Sequence, residues 1–390
     1  MDHAGGVPYV RLQQNDLTTG SQMDSMTVNK NTADIDHTAG AAAERARDMR
    51  GLRLPADHPQ VKSGKVGVLL VNLGTPDGTD YTSMRRYLKE FLTDKRVIEW
   101  PKALWYPILF GIVLNTRPGK VGKAYESIWN KERDESYLRT YTRSQAEKLG
   151  EALAGHPEIV CDWGMRYGQP SIDERMTALR DQGCDRILVF PLYPQYSAAT
   201  TATVNDKTFE SLMATRFMPA IRTVPAYHDE PVYIEALARS IEGHFATLDY
   251  VPEKLIASYH GIPQSYFKKG DPYHCQCLKT SRLLEKRLGW EKGRLITCFQ
   301  SRFGPEEWLQ PYTDKTIEVL AKEGVKSLAI FNPGFVSDCL ETLEEIAVAG
   351  GEIFHEHGGK NYTHIPCLND SEDGMAVIEA MVRRELQGWI

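Results

Sequence analysis

The chain has 390 residues, 42% hydrophobic and 25% charged, ordinary globular values that allow about two domains, each with its own core. A net charge of −6 argues against a general nucleic-acid surface. Its cysteines are odd in number and irregularly spaced, with no secretory signal before them, which fits a reduced cytosolic compartment better than a disulfide framework.

Residues 1–64 are polar and lack the apolar stretch of a signal peptide, so they read as a disordered leader. No run reaches the roughly 18 apolar residues that span a bilayer. KVGVLLVN, over 65–72, predicts a strand ended by Gly74 and Pro76, and a helix follows over 81–92 with Tyr87, Leu88, Phe91 and Leu92 as its apolar stripe. The most apolar stretch, 100–114 (WPKALWYPILFGIVL), is flanked by Lys95, Arg96, Lys102, Arg117, Lys120 and Lys123. It reads either as a core helix broken at Pro107 or as an exposed lip that meets lipid or a flat apolar ligand. Helices over 137–154 and 172–181 alternate with strands over 158–165 and 186–190. The second of these strands ends in PLYPQYSAATT, which places Tyr193 and Tyr196 in one loop.

The second half repeats the first in order. KLIASYHGIP echoes GVLLVNLGTP, ITCFQSRFGP echoes CDWGMRYGQP, and VKSLAIFNPGFVSD echoes CDRILVFPLYPQYS. Matched strand ends in one order imply two related α/β domains, each a doubly wound parallel sheet, with a cleft between them. A last helix over 375–387 packs back on one domain. No dinucleotide or P-loop fingerprint follows a strand, and the serine-hydrolase elbow is absent.

Open α/β sheets bind ligands beyond the carboxyl ends of their strands. His260 stands there, delivered by the run 256–260 and followed by Gly261 and Pro263. Another strand end leads into Ser337-Asp338-Cys339-Leu340-Glu341. Asp338 and Glu341 have capping-box spacing. Glu341 and Glu345 also share a helical face, with Leu340, Leu343, Ile346 and Ala347 marking the buried one. A histidine and these carboxylates suit a divalent metal or a proton-transfer pair. Leu73, Tyr167, Tyr193, Tyr196, Tyr259, Phe299, Trp308 and Phe335 give the strand ends an aromatic lining, and each reads either as core or as the wall of a flat apolar pocket. Arg117, Ser136, Arg166 and Arg302 are candidates to meet carboxylates at its rim.

Taken together, SYHGIP, YPQYS, KGDPY, QSRFGPEEWL and PGFVSDCLETLEEI resemble the ferrochelatase family over roughly 66–386. The resemblance implies two Rossmann-like domains, at 65–245 with a porphyrin lip at 100–117 and at 246–370 with the metal site, and 371–390 as the returning helix. It implies a lyase that inserts Fe2+ into protoporphyrin IX and releases two protons. His260 would bind iron or take a pyrrole proton, Glu341 would be its partner across the macrocycle, and Asp338 and Glu345 would continue an acidic path. Leu73, Tyr193, Trp308 and Phe335 would pack the porphyrin, with Arg117, Ser136 and Tyr273 near its propionates or the pocket lip. The lip would give a peripheral contact with the inner face of the membrane from the cytoplasm.

Some relatives carry a histidine where this chain has Cys339. Others hold a [2Fe–2S] cluster through a cysteine-rich tail and a cysteine where Ala198 stands here. No such cluster and no permanently bound cofactor is expected. Cys275 and Cys277 beside His274 read as free thiols or, alternatively, as metal ligands. The rival functions are a cobalt or nickel chelatase acting on another tetrapyrrole and a two-lobed solute-binding protein.

Overall fold

The computed structural model describes residues 61–390. Residues 1–60 of the expected leader lie outside the described residues, and 61–64 are exposed. Two four-stranded parallel sheets form the framework. The first holds β1 (Lys65–Gly74), β2 (Ile159–Tyr167), β3 (Cys184–Pro191) and β4 (Ala220–Thr223) in the order β2-β1-β3-β4. The second holds β5 (Lys254–His260), β6 (Leu295–Gln300), β7 (Ser327–Phe331) and β8 (Asn361–His364) in the order β6-β5-β7-β8. The same order twice is the repeat visible in the sequence.

Central parallel strands are apolar on both faces because helices cover both. In β1, Val66, Val68 and Leu70 point one way and Leu69 and Val71 the other. Their partners differ in kind. The outer face of the first sheet packs with Met176, Leu179 and Leu212, and that of the second, through Ile256 and Ile330, with Ile317 and Phe354. The inner faces do not make two cores. Val68, Leu70 and Phe190 join Ala257, Tyr259 and Phe331 in one continuous cluster with side chains of the helices Tyr137–Ala152, Pro231–Ala246, Tyr273–Leu288 and Glu372–Glu385. The expectation of a separate core for each half is therefore corrected: the helices facing both sheets are shared.

The last helix, Glu372–Glu385, packs on Pro231–Ala246 and Tyr137–Ala152. Behind it Trp389 lies under the Arg222 guanidinium at 4.2 Å and its carbonyl accepts from Arg186 Nη1 at 2.6 Å, so the chain end is tied to β3 and β4.

Two expectations need correction. The sequence echo sets Pro305 opposite Pro170. The backbone bonds set Pro311 there instead: Met165 N donates to Pro170 O at 2.7 Å and Phe299 N to Pro311 O at 2.8 Å. The additional residues of the second half include Trp308. Pro107 does not break the lip. A helix spans Lys102–Ile108 with Pro107 inside it and widens into a π-helical turn over Leu109–Val113. Proline has no N–H to donate and its ring crowds the preceding turn, which a wider turn relieves. The lip is half core and half exposed. Trp105, Leu109, Val113 and Leu114 are buried, whereas Leu104 is 63% and Ile112 59% exposed.

Candidate active site

His260 ends β5 and pairs with Gln300 across the ladder. Its Nδ1 lies 2.6 Å from Gly261 O. A carbonyl only accepts, so the neutral ring carries its proton on Nδ1 and offers its lone pair at Nε2. Trp308, fixed by its indole N–H on Phe303 O at 2.9 Å, lies beside the imidazole with ring centres 6.4 Å apart. This close approach needs glycine next door, because a Cβ at Gly261 would stand 3.0 Å from Gln300 O and 3.2 Å from Trp308 Cε3.

The acidic segment starts differently from its sequence reading. Cys339, not Asp338, is the helix N-cap, and its N–H donates to Thr342 Oγ1 at 3.0 Å. Asp338 is 3% exposed and its carboxylate is occupied. It accepts from Thr342 Oγ1 at 2.8 Å, Asn369 Nδ2 at 2.7 Å and the Cys367 N–H at 3.3 Å. The capping box of Asp338 and Glu341 is therefore replaced by Cys339 and Thr342. Asp338 anchors a loop, and Glu341 is freed from capping.

Glu341 lines a small pocket, whose walls include Leu73, Gly74, Tyr125, Ser136, Leu138 and Leu340. Burial, with the Glu341 charge as a further cause, raises the phenols of Tyr87, Tyr125 and Tyr193 well above their usual range. Burial and then Glu341 do the same to the Cys339 thiol. A carboxylate among neutral phenols and a neutral thiol is the most basic group on that wall. Tyr193 Oη is buried without a hydrogen-bond partner.

Glu345 accepts from Ser301 N at 2.9 Å and from the Ser301 hydroxyl. Burial raises its pKa, Ser301 and His260 oppose that, and Glu341 adds to it. Glu345 thus lies within electrostatic reach of both His260, from the end of β5, and Glu341, from the helix start after β7. They do not form a ready-made chelate: among the described residues, no group of three His, Cys, Asp or Glu side chains is placed to hold a metal ion.

The other expected residues divide. Leu73 and Ser136 line the cavity with Glu341. Ser136 accepts from Arg139 N at 3.2 Å, which leaves its hydroxyl proton to donate. Phe335 is half-buried on the loop after β7. Tyr273 is misplaced in the sequence reading, being 6% exposed within the shared core rather than at a lip. Tyr167, Tyr259 and Phe299 are core for the same reason, at 0%, 0% and 2% exposure. Arg302 is taken by Asp314 at 2.6 Å. Arg117 stacks on Phe303 at 4.2 Å and has no ion-pair partner among the described residues. Cys277 is buried and Cys275 exposed, and the described residues around them make no metal site. Tyr87, Tyr125, Gln300 and Ser301 were not read as site residues from the sequence; only the last two, at and just after the end of β6 beside the His260 strand, carried a positional signal.

Arg166 is also committed. Its guanidinium meets Asp94 at 2.5 Å, and the two side chains are 11% and 8% exposed. Asp94 further accepts from Tyr167 Oη at 2.9 Å, Arg96 N at 2.7 Å and the Thr203 hydroxyl. Burial works to raise the Asp94 pKa, but Thr203, Arg96 N–H, Arg166 and Tyr167 together hold it below the usual value. Asp94→Asn is expected to cost about 3 kcal/mol at neutral pH, because it leaves a buried guanidinium uncompensated. A lowered native pKa gives stability that is complete above the ordinary Asp range, about 3.9, and is lost as pH falls through the native value. Urea unfolding at neutral and acid pH should show the difference between the two proteins shrinking on acidification.

Comparison with known proteins agrees with this architecture. SirB from Bacillus subtilis with Fe3+ shares the fold at a TM-score of 0.50 and 12% identity, covering 82% of this chain and 95% of that one. The class is an α/β fold built on two four-stranded parallel sheets. The Ferrochelatase family model matches residues 65–386. Ferrochelatase from Allorhizobium ampelinum is 71% identical over 337 residues, 86% of this chain and 98% of the relative. Those from Rhizobium leguminosarum bv. trifolii and Agrobacterium fabrum are each 70% identical with the same coverage. The chain belongs to the ferrochelatase family, lyases that insert Fe(II) into protoporphyrin in haem synthesis.

Proposed function

We propose that His260 and Glu341 carry out the insertion as a pair. The observation that supports this is Glu345, a carboxyl that feels both the His260 imidazole at the end of β5 and the uncapped Glu341 at the helix start after β7. Free protoporphyrin holds two N–H protons on the nitrogens the metal needs. His260 Nε2 takes one of these protons. Glu341 takes the other and passes it to Glu345, whose raised pKa suits a proton held between turnovers. The acidic path runs through these two carboxylates without Asp338. The absence of a closed chelate suits an ion in transit, since a tight site would retain it. Leu73, Tyr193, Trp308 and Phe335 serve as walls that hold the ring off planarity, a strain of roughly 1–5 kcal/mol drawn from binding. The set of residues needs no resident cofactor and no iron–sulfur cluster.

Arg117, with no anionic partner of its own, is the cation for a propionate. Arg117→Leu is expected to raise KM for protoporphyrin about tenfold or more with kcat kept within threefold, since a charged hydrogen bond is worth about 1.5–3 kcal/mol and acts equally on ground and transition state. A porphyrin with esterified propionates should not distinguish the two proteins; an unchanged KM for the free acid contradicts the assignment.

The exposed side of the lip, Leu104, Ile108, Phe110 and Ile112, with Lys102, Lys120 and Lys123 exposed nearby, suits a peripheral contact with an anionic membrane. No helix among the described residues is long and apolar enough to cross one. Leu104→Asp with Ile112→Asp should lower flotation with phosphatidylglycerol vesicles at least tenfold, at about 1.5–3 kcal/mol per apolar side chain withdrawn. Equal flotation of the variant and the parent protein would contradict the contact.

A further inference from the structure

We infer that Gln300 is a positioning residue that sets the separation between His260 and Glu341. The inference rests on the reading of those two residues as the reacting pair. Gln300 touches the carriers of both. Its backbone is the ladder partner of His260, and its carbonyl accepts from Gly261 N at 2.7 Å, which fixes the end of β5. Its side-chain Nε2 donates to the Glu341 carbonyl at 2.8 Å, which fixes the start of the acidic helix. One residue therefore joins the strand end that presents the imidazole to the helix start that presents the carboxylate.

The orientation of the amide is set by its surroundings. Oε1 accepts from Ser258 Oγ at 2.7 Å and from Asn332 Nδ2 at 2.7 Å. Asn332 is itself oriented by donating to Ser258 O at 3.1 Å. Two donors on one side leave Nε2 only the side of Glu341. Gln300 is 4% exposed, so water does not compete for this bond. A group that holds reacting parts in register contributes to rate more than to affinity, because small misplacements weaken the transition state most.

Gln300→Met tests this with little collateral damage. Methionine nearly matches the length. Ser258 and Asn332 both lose Oε1 as an acceptor, but Ser258 keeps Thr313 Oγ1 at 2.8 Å and Asn332 keeps the Ser258 carbonyl, whereas the Glu341 carbonyl loses its amide donor. The expected result is a fall in kcat for Fe(II) insertion of at least tenfold, with the protoporphyrin Kd, read by fluorescence, changed less than threefold. Gln300→Asn, one methylene too short to reach, should show the same split and serves if the methionine variant does not fold. In a Glu341→Gln background, Gln300→Met should add less than a threefold loss, because it acts through the residue already disabled. Turnover of Gln300→Met within threefold of the parent, or the same loss in both backgrounds, overturns the inference. Failure of the underlying pair would look different: His260→Ala and Glu341→Gln would themselves stay active.

Discussion

Alanine at His260 is expected to lower kcat/KM for Fe(II) insertion by about 10²–10⁴-fold, the range for loss of a positioned acid–base group, while the protein stays folded. The side chain is only half-buried and sits at the very end of β5, beyond the stretch of β5 that pairs with β7. Its one hydrogen bond closes on the next residue, so removing it orphans no distant group. What is lost is the imidazole beside Trp308. Protoporphyrin affinity should change little, since the walls remain. Haem formation measured under nitrogen against thermal unfolding of the same sample separates the two effects. A variant that unfolds as the parent does but keeps near-normal turnover contradicts the role.

Glu341→Gln should cost about 10²-fold or more in kcat. Glutamine keeps the shape and removes the charge and the base. No other group on that wall can replace it. Tyr87, Tyr125 and Tyr193 are held as neutral phenols by burial, Cys339 is a neutral thiol, and Asp338 is saturated by Thr342, Asn369 and Cys367. Glu345 stands one helical turn on and is tied to Ser301. The effect should fall on kcat with protoporphyrin KM nearly unchanged, the pattern of an interaction made in the transition state.

Much of this was legible in the sequence, and the reasons are local. β1 and β5 announce themselves as unbroken apolar runs stopped by glycine and proline, so the strand ends, and His260 with them, could be placed from the chain alone. The repeat followed from matching those ends. Contacts made far along the chain were not legible. Asp338 and Glu341 have the spacing of a capping box, but Asn369 and Cys367, some thirty residues later, capture Asp338, and the helix starts one residue on. Arg166 looked like a rim cation because nothing near it in sequence predicts Asp94. Tyr273 begins a helix whose buried face is decided by the shared core, which no single segment encodes. Trp308 was noticed as an aromatic, yet its place beside His260 depends on the longer connection of the second half and on the bare Cα of Gly261. The lip divides between its two readings, since one face of it is core, though unbroken at Pro107, and the other is exposed.

The central claim is that His260 and Glu341 act as a pair on one cleft, and anaerobic single-turnover insertion tests it most directly. Protoporphyrin bound to the parent protein, to His260→Ala and to Glu341→Gln is mixed with Fe(II), and the haem absorption band is followed in time. Retained porphyrin binding with haem formation slowed at least 10²-fold in both variants is the predicted result. Haem appearing in either variant at within threefold of the parent rate contradicts the account.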